Sequence, residues 1–320
     1  MRVFVTGATS YVGSKVVEEL LAHGHQVLGL VRSDKSAALL SSTGAGGVRG
    51  TLTDLDVLKK SAGECGGVIH LAFNHDFTKF AASCAEELKA IETIGEALKG
   101  SNKPFITTSG TLAAHVKEPN QVATEDDRIT DPTKTPTSPR IWSEIKTIDL
   151  VKEGVRAMVV RLSPTTHGDG DKGFVPKLIG TAKTTGVSAY IGDGTNVWPA
   201  GHRLDAAPLY RLALEKGKAG SIYHNVGDQA IQIKQIAEII GRKLNVPVES
   251  KTPEEAGKHF GFLAWPLEMN NPTSSLKTQE SLGWKPVQVG LIEDLENGGW
   301  YFSTEALESM KSGDDYSNNK

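Results

Sequence analysis

A short β-prone run, Arg2–Thr6, leads directly into Thr6-Gly7-Ala8-Thr9-Ser10-Tyr11-Val12-Gly13. From residue 11 to residue 23 the apolar side chains Val12, Val16, Val17, Leu20 and Leu21 share one helical face. Strand, glycine loop and helix in that order open a βαβ unit, and no other stretch restricts the architecture so strongly. Gly7 permits the tight turn, and Gly13 lets the helix approach the strand closely. The helix start then presents free N–H groups and a partial positive charge, which suit a pyrophosphate.

The same alternation continues. Strands are expected at 26–32, 47–50, 68–72 and 104–108, and helices at 34–41, 54–62 and 77–99, with Thr53 or Asp54 as the N-cap of the second. This predicts an α/β fold, a Rossmann doubly wound parallel sheet with helices on both faces. Residues 114–140 carry charge and four prolines, a pattern common in substrate or lid loops. A helix at 140–152 and a strand at 155–161 follow. Later helices are expected at 173–185, 204–215, 232–244 and 273–282, and Thr252-Pro253-Glu254-Glu255 is a capping box. Residues 1–162 plus 205–226 are assigned to a dinucleotide-binding domain and 163–204 plus 227–310 to a smaller substrate-covering part, with 311–320 a frayed tail. Leu88, Ile91 and Ile94 form a stripe that suits either core packing or a homodimer face.

Composition narrows the function. At ~150 residues per domain, 320 residues suggest about two domains. A net charge of -3 without a basic stripe argues against nucleic acid as a partner. No apolar run reaches the ~18 residues of a membrane span. Residues 1–7 lack the apolar core of a signal peptide. Two cysteines, Cys65 and Cys84, fit a reducing compartment. A cytoplasmic protein acting on a small molecule is expected. Paired-cysteine, HxxxH and HExxH patterns are missing, so no metal site is expected.

The loop resembles the TGxxGxxG pattern of extended members of the short-chain dehydrogenase/reductase superfamily, with Ser10 in place of the middle glycine. His70-Leu71-Ala72, Pro104-Phe105-Ile106-Thr107-Thr108-Ser109, Arg161-Leu162-Ser163-Pro164 and Leu282-Gly283-Trp284-Lys285-Pro286 extend the resemblance in the family's order. It implies a nicotinamide dinucleotide held by Gly7, Thr9, Ser10, Tyr11, Val12, Gly13, Leu71, Ala72, Phe73, Thr108, Leu162 and Ser163. The adenosine end would lie near Arg32, Ser33 and Leu52. An acidic residue closing the second strand would accept from a ribose hydroxyl; here Arg32 suits a 2′-phosphate, so NADP(H) is favoured over NAD(H). Asp34 could still face a hydroxyl.

Reductases of this superfamily use a Tyr-xxx-Lys pair on one helical face, the tyrosine moving the proton and the lysine holding the nicotinamide ribose. The tyrosines here are 11, 190, 210, 223, 301 and 316. In the matching helix Lys146 is present and Trp142 takes the tyrosine's place; with a shifted register, Ser143 or Glu144 would face the cofactor instead. An indole N–H is not an acid near neutral pH. The proton is therefore sought first at His75, then at His167 and His202, with Ser109 or Thr111 polarising a substrate oxygen and His115 nearby. Asp205 is expected to be a helix N-cap. The expected function is NADP-dependent hydride transfer to a small carbonyl, imine or activated C=C compound; a redox sensor or a non-redox isomerase or lyase are the alternatives.

Overall fold

A computed structural model describes residues 1–114, 116, 118, 121–133 and 138–310. His115 and the expected tail, 311–320, lie outside the described residues. The strands are β1 (Arg2–Thr6), β2 (Gln26–Val31), β3 (Gly46–Arg49), β4 (Gly67–His70), β5 (Pro104–Gly110), β6 (Arg156–Leu162), β7 (Thr165–His167), β8 (Ser188–Ile191), β9 (Val197–His202), β10 (Ile222–Asn225), β11 (Asp228–Gln232) and β12 (Val248–Lys251). The main helices are α1 (Gly13–Ala22), α2 (Asp34–Ser41), α3 (Leu55–Glu64), α4 (Phe80–Leu98), α5 (Ile141–Asp149), α6 (Phe174–Thr185), α7 (Arg203–Lys216) and α8 (Ile233–Leu244).

Seven strands form one parallel sheet in the order β10-β6-β5-β4-β1-β2-β3. From β1 the chain builds outward to β3, then crosses back to β4 and builds the other way. The reversal leaves a crevice between β1 and β4 at their carboxyl ends, where ligands bind in open α/β sheets. Alternate residues of the strands feed two cores. Phe4, Val68, Phe105 and Ala157 meet Leu58, Ile91 and Ile94 on one face; Val5, Ile69, Ile106 and Val160 meet Val16, Leu20 and Tyr210 on the other. Ile91 and Ile94 are thus buried by this chain's own sheet.

A second body carries the three-stranded sheet β11-β9-β7 and the pair β12-β8. Its core gathers Trp198, Ile236, Ile240, Leu263, Leu295 and Tyr301. The chain crosses back once more, since Leu282 and Trp284 pack beneath the large sheet with α1 and α7.

Several local expectations change for physical reasons. β4 ends at His70 because the next residues turn onto the glycine loop: Leu71 N donates to Thr6 O (3.2 Å) and Ala72 N to Thr6 Oγ1 (3.2 Å). Asp54 does not cap α3; its carboxylate turns back to Thr51 N (2.7 Å). Asp205 is not an N-cap either. His202 caps α7, its Nδ1 accepting from Leu204 N (3.1 Å), while buried Asp205 accepts from Val287 N and Gln288 N and anchors the segment after Pro286. The capping box at Thr252 and Glu255 is present.

Candidate active site

The glycine loop is built as a phosphate cradle. Gly7 has φ +70°, and a Cβ there would lie 2.9 Å from Ala72 N. A Cβ on Gly13 would lie 2.0 Å from Gly7 O, so the start of α1 tolerates no side chain. Ser10 Oγ accepts from Gly13 N (3.1 Å), which shows how serine replaces the middle glycine: it caps the helix from within the loop. Val12, at the N-cap, supplies no side-chain bond, and the N–H groups of Tyr11 and Val12 have no acceptor among the described residues. Two orphaned donors over a helix N-terminus fit the pyrophosphate of a dinucleotide. Thr9 is half-buried in the same loop.

At the end of β2, Arg32 is exposed and makes no ion pair among the described residues. Ser33 closes a capping box with Ser36 and starts α2. Asp34 instead pairs with Arg49 (3.1 Å). Leu52 packs against the core beside Phe4 and Leu28.

The nicotinamide end would lie over β4, β5 and α5. Thr6 Oγ1 accepts from Ala72 N and shares a hydrogen bond with His70 Nδ1 (2.9 Å). Burial, with Arg140 nearby, pushes His70 down to about 3, so its ring is neutral. Its Nε2 is buried with no partner among the described residues. Thr108 Oγ1 meets His70 O (2.9 Å) and Tyr210 OH (2.7 Å). Burial raises the Tyr210 phenol above its ordinary range. Ser109 is buried on β5 opposite Arg161 of β6. Thr111 is spent on Asn271, with bonds of 2.9 and 3.2 Å, and is not available to a substrate oxygen. At the end of β6, Leu162 is half-buried and Ser163 Oγ donates to Asn225 O (2.7 Å).

Helix α5 differs most from expectation. Trp142 is 47% exposed, and Lys146 pairs with Glu153 (3.2 Å), which precedes β6 at the amino end of the sheet. The pair bonded to the sheet side is Arg140 and Glu144, also four apart. Arg140 Nε and Nη2 grip buried Glu87 of α4, Nη2 also reaches Thr108 O (3.0 Å), and the guanidinium lies 4.1 Å over the Phe73 ring. Glu144 holds fully buried Arg161 in a bidentate pair, 2.5 and 3.1 Å. Ser143 is buried between them with an unpartnered Oγ. The i,i+4 spacing of Arg140 and Glu144 was a readable signal; their partners Glu87 and Arg161, far away in sequence, were not.

The three histidines separate clearly. His75 lies exposed beyond Phe73, its ring 5.1 Å from that of Phe73 and 6.1 Å from that of Phe77. Neighbouring groups that displace water, then the charges of Arg140 and Lys177, lower its pKa. His167 and His202 are buried on the second body, with rings 5.0 Å apart. His167 Nδ1 bonds Asp294 Oδ2 (2.8 Å). These three residues place potential ligand atoms within 4.8 Å of one another, a grouping invisible in sequence. His202 Nδ1 already accepts a backbone N–H, so its neutral ring keeps the hydrogen on Nε2 and has no lone pair for a cation. The group is a hydrogen-bonded junction. Beside it, Tyr11 OH donates to Gly168 O (3.0 Å), Arg203 stacks 4.1 Å over Tyr11, and Tyr301 OH donates to Asp171 Oδ2 (2.8 Å).

Comparisons with known proteins agree with the fold. Residues 3–227 match the model of the NAD dependent epimerase/dehydratase family. An uncharacterized protein of Schizosaccharomyces pombe is 50% identical over 94% of this chain and all of its own length. A farnesyl-dihydroquinoline-oxide ketoreductase of Stigmatella aurantiaca is 24% identical, over 83% of this chain and 81% of its own. Among solved structures, the dTDP-glucose 4,6-dehydratase DesIV of Streptomyces venezuelae, with NAD and TYD bound, superposes with a TM-score of 0.72 at 18% identity, over 95% of this chain and 98% of that one.

Proposed function

Since the chain belongs to the NAD dependent epimerase/dehydratase family, we propose that it is an NADP(H)-dependent oxidoreductase that reduces a small carbonyl, imine or activated C=C compound, with His75 carrying the proton. When bound, the dihydronicotinamide supplies a hydride, two electrons to the acceptor carbon, and for a carbonyl the opened C=O bond leaves an oxygen that needs one proton. The orphaned N–H groups of Tyr11 and Val12 hold the pyrophosphate, and exposed Arg32 takes the 2′-phosphate. Arg140 fixes Phe73 and the end of β5 from above.

The exposure of His75 carries the reading. Of the three candidate imidazoles it alone has an open ring beside the crevice; those of His167 and His202 are held by Asp294 and Leu204. With its pKa lowered, it is neutral at pH 7. Carbonyl reduction should then quicken as pH falls from 7 toward 5, as the protonated fraction grows. His75→Asn should flatten that slope. A slope unchanged in the variant sinks the assignment.

Nucleotide choice is tested by fluorescence titration. Arg32→Ala should weaken NADPH at least tenfold, on the order of one charge-assisted bidentate contact, and leave NADH nearly unchanged. Equal wild-type affinity for both would overturn the NADP preference. A second reading draws on α5, whose sheet-side residues Arg140 and Glu144 are both locked in ion pairs and offer no acid. On that reading the protein senses NADP redox state. Tight NADPH binding with no oxidation by any member of an acceptor panel would decide for it.

A further inference from the structure

We infer that the acceptor site is an aromatic wall that selects a flat, uncharged aromatic carbonyl compound over a phosphorylated one. The wall starts at Phe73, directly after the Ala72 that touches the glycine loop. It runs through Phe80 (6.1 Å from Phe73) and Phe77 (5.6 Å from Phe80, stacked). It crosses to the second body at Phe262, stacked on Phe77 at 4.8 Å, and reaches Phe174, 6.4 Å further on, which leans on core Trp198 at 5.6 Å. All five rings are half-buried, so each shows part of its surface to solvent, whereas the core aromatics Phe4, Phe105 and Trp198 are wholly covered. His75 stands at the inner end, in edge contact with Phe73.

Charge points the same way. A phosphorylated acceptor needs cations that are free to pair. Arg140 is gripped by buried Glu87, fully buried Arg161 by Glu144, and Arg203 is spent on Asp169 O, Ser14 Oγ and the Tyr11 ring. Stacked and edge-on rings instead favour a flat π-system, which gains from ring contact beyond its burial. The chemistry balances as in the reductase reading, on which turnover of this acceptor rests: the aromatic aldehyde carbon gains the hydride, its oxygen gains a proton, and NADPH becomes NADP⁺.

Calorimetric titration of the full chain, with and without NADP⁺, checks binding apart from turnover. The probes are 2-naphthalenemethanol, 1-butanol and UDP-glucose. The naphthyl alcohol should bind at least tenfold more tightly than the other two. Phe77→Ala and Phe262→Ala should each weaken it about tenfold, and Phe77→Tyr, which keeps the ring and the fold, should restore it. UDP-glucose binding as tightly, or alanine variants that fold and bind like wild type, would overturn the wall. If the naphthyl alcohol binds as expected but 2-naphthaldehyde is never reduced by NADPH, the wall stands and the oxidoreductase reading falls. If butanal or a phosphorylated aldehyde is reduced and 2-naphthaldehyde is neither bound nor reduced, the oxidoreductase reading stands and the wall falls.

Discussion

At the residue scale, the crevice is organised by charges with nowhere else to go. Glu87 is buried at 1% exposure and meets two nitrogens of the Arg140 guanidinium through three hydrogen bonds. Such a pair adds little net stability over an apolar equivalent, but removing one partner strands the other. Because Arg140 keeps some access to water, Glu87→Ala should cost about 2–3 kcal/mol, read as a shift in urea midpoint, and should free Phe73 to move. A loss below about 1 kcal/mol would mean that the guanidinium becomes fully solvated, contrary to the packing described. Gly13 behaves differently. It was legible from sequence because the demand on it is steric and local: a Cβ would strike Gly7 O within the same loop. The pairing of Arg140 with Glu87 was not legible, because it depends on where two helices meet 53 residues apart.

At the scale of elements, the order of strands and helices was readable and the orientation of one helix was not. Alternating apolar runs and glycine stops located the first five strands to within about two residues, since burial on both faces leaves a parallel strand little choice of residue. Helix α5 carries two i,i+4 pairs two residues apart, Arg140 with Glu144 and Trp142 with Lys146. Two residues turn a helix by ~200°, so the pairs lie on opposite sides. Residue type suggested that the lysine faces inward; burial decided otherwise, because Glu144 finds Arg161 and Thr147 finds Thr107 (3.0 Å) on the sheet side. The consequence is asymmetric. Trp142→Ala and Lys146→Ala should each change stability by about 0.5–1 kcal/mol at most, since one is exposed and the other makes a half-exposed pair. Glu144→Ala should cost about 3–5 kcal/mol by leaving Arg161 uncompensated. The same three variants, titrated with NADPH, report on the site: loss of binding in Lys146→Ala alone would place the lysine on the cofactor side after all.

At the scale of the whole molecule, the glycine loop and the second body are joined by a junction that no local pattern announces. Tyr11 reaches Gly168, Tyr301 reaches Asp171, and His167 reaches Asp294, partners separated by 127 to 157 positions. This junction gives stability a pH dependence of unusual sign. Burial raises Asp171 to about 6, against about 4 in an unfolded chain. The folded state therefore holds the proton more tightly than the unfolded one, and the cost of ionising this carboxyl is absent below pH 4, grows between pH 4 and 6, and is constant above. His70 and His224 act in the opposite sense. Burial depresses both to about 3, so they favour the fold above pH 6.5 and withdraw that support as pH falls. Comparing wild type with Asp171→Asn cancels the histidines. Asn keeps an acceptor for Tyr301 or for Gly173 N and never ionises. The variant should gain on wild type as pH rises from 4 to 7, by about 3 kcal/mol for two pKa units, measured from urea midpoints at each pH. A difference that stays flat across this range would mean that the Asp171 carboxyl titrates as it does in water, and that the junction is open to solvent when the protein is free of ligand.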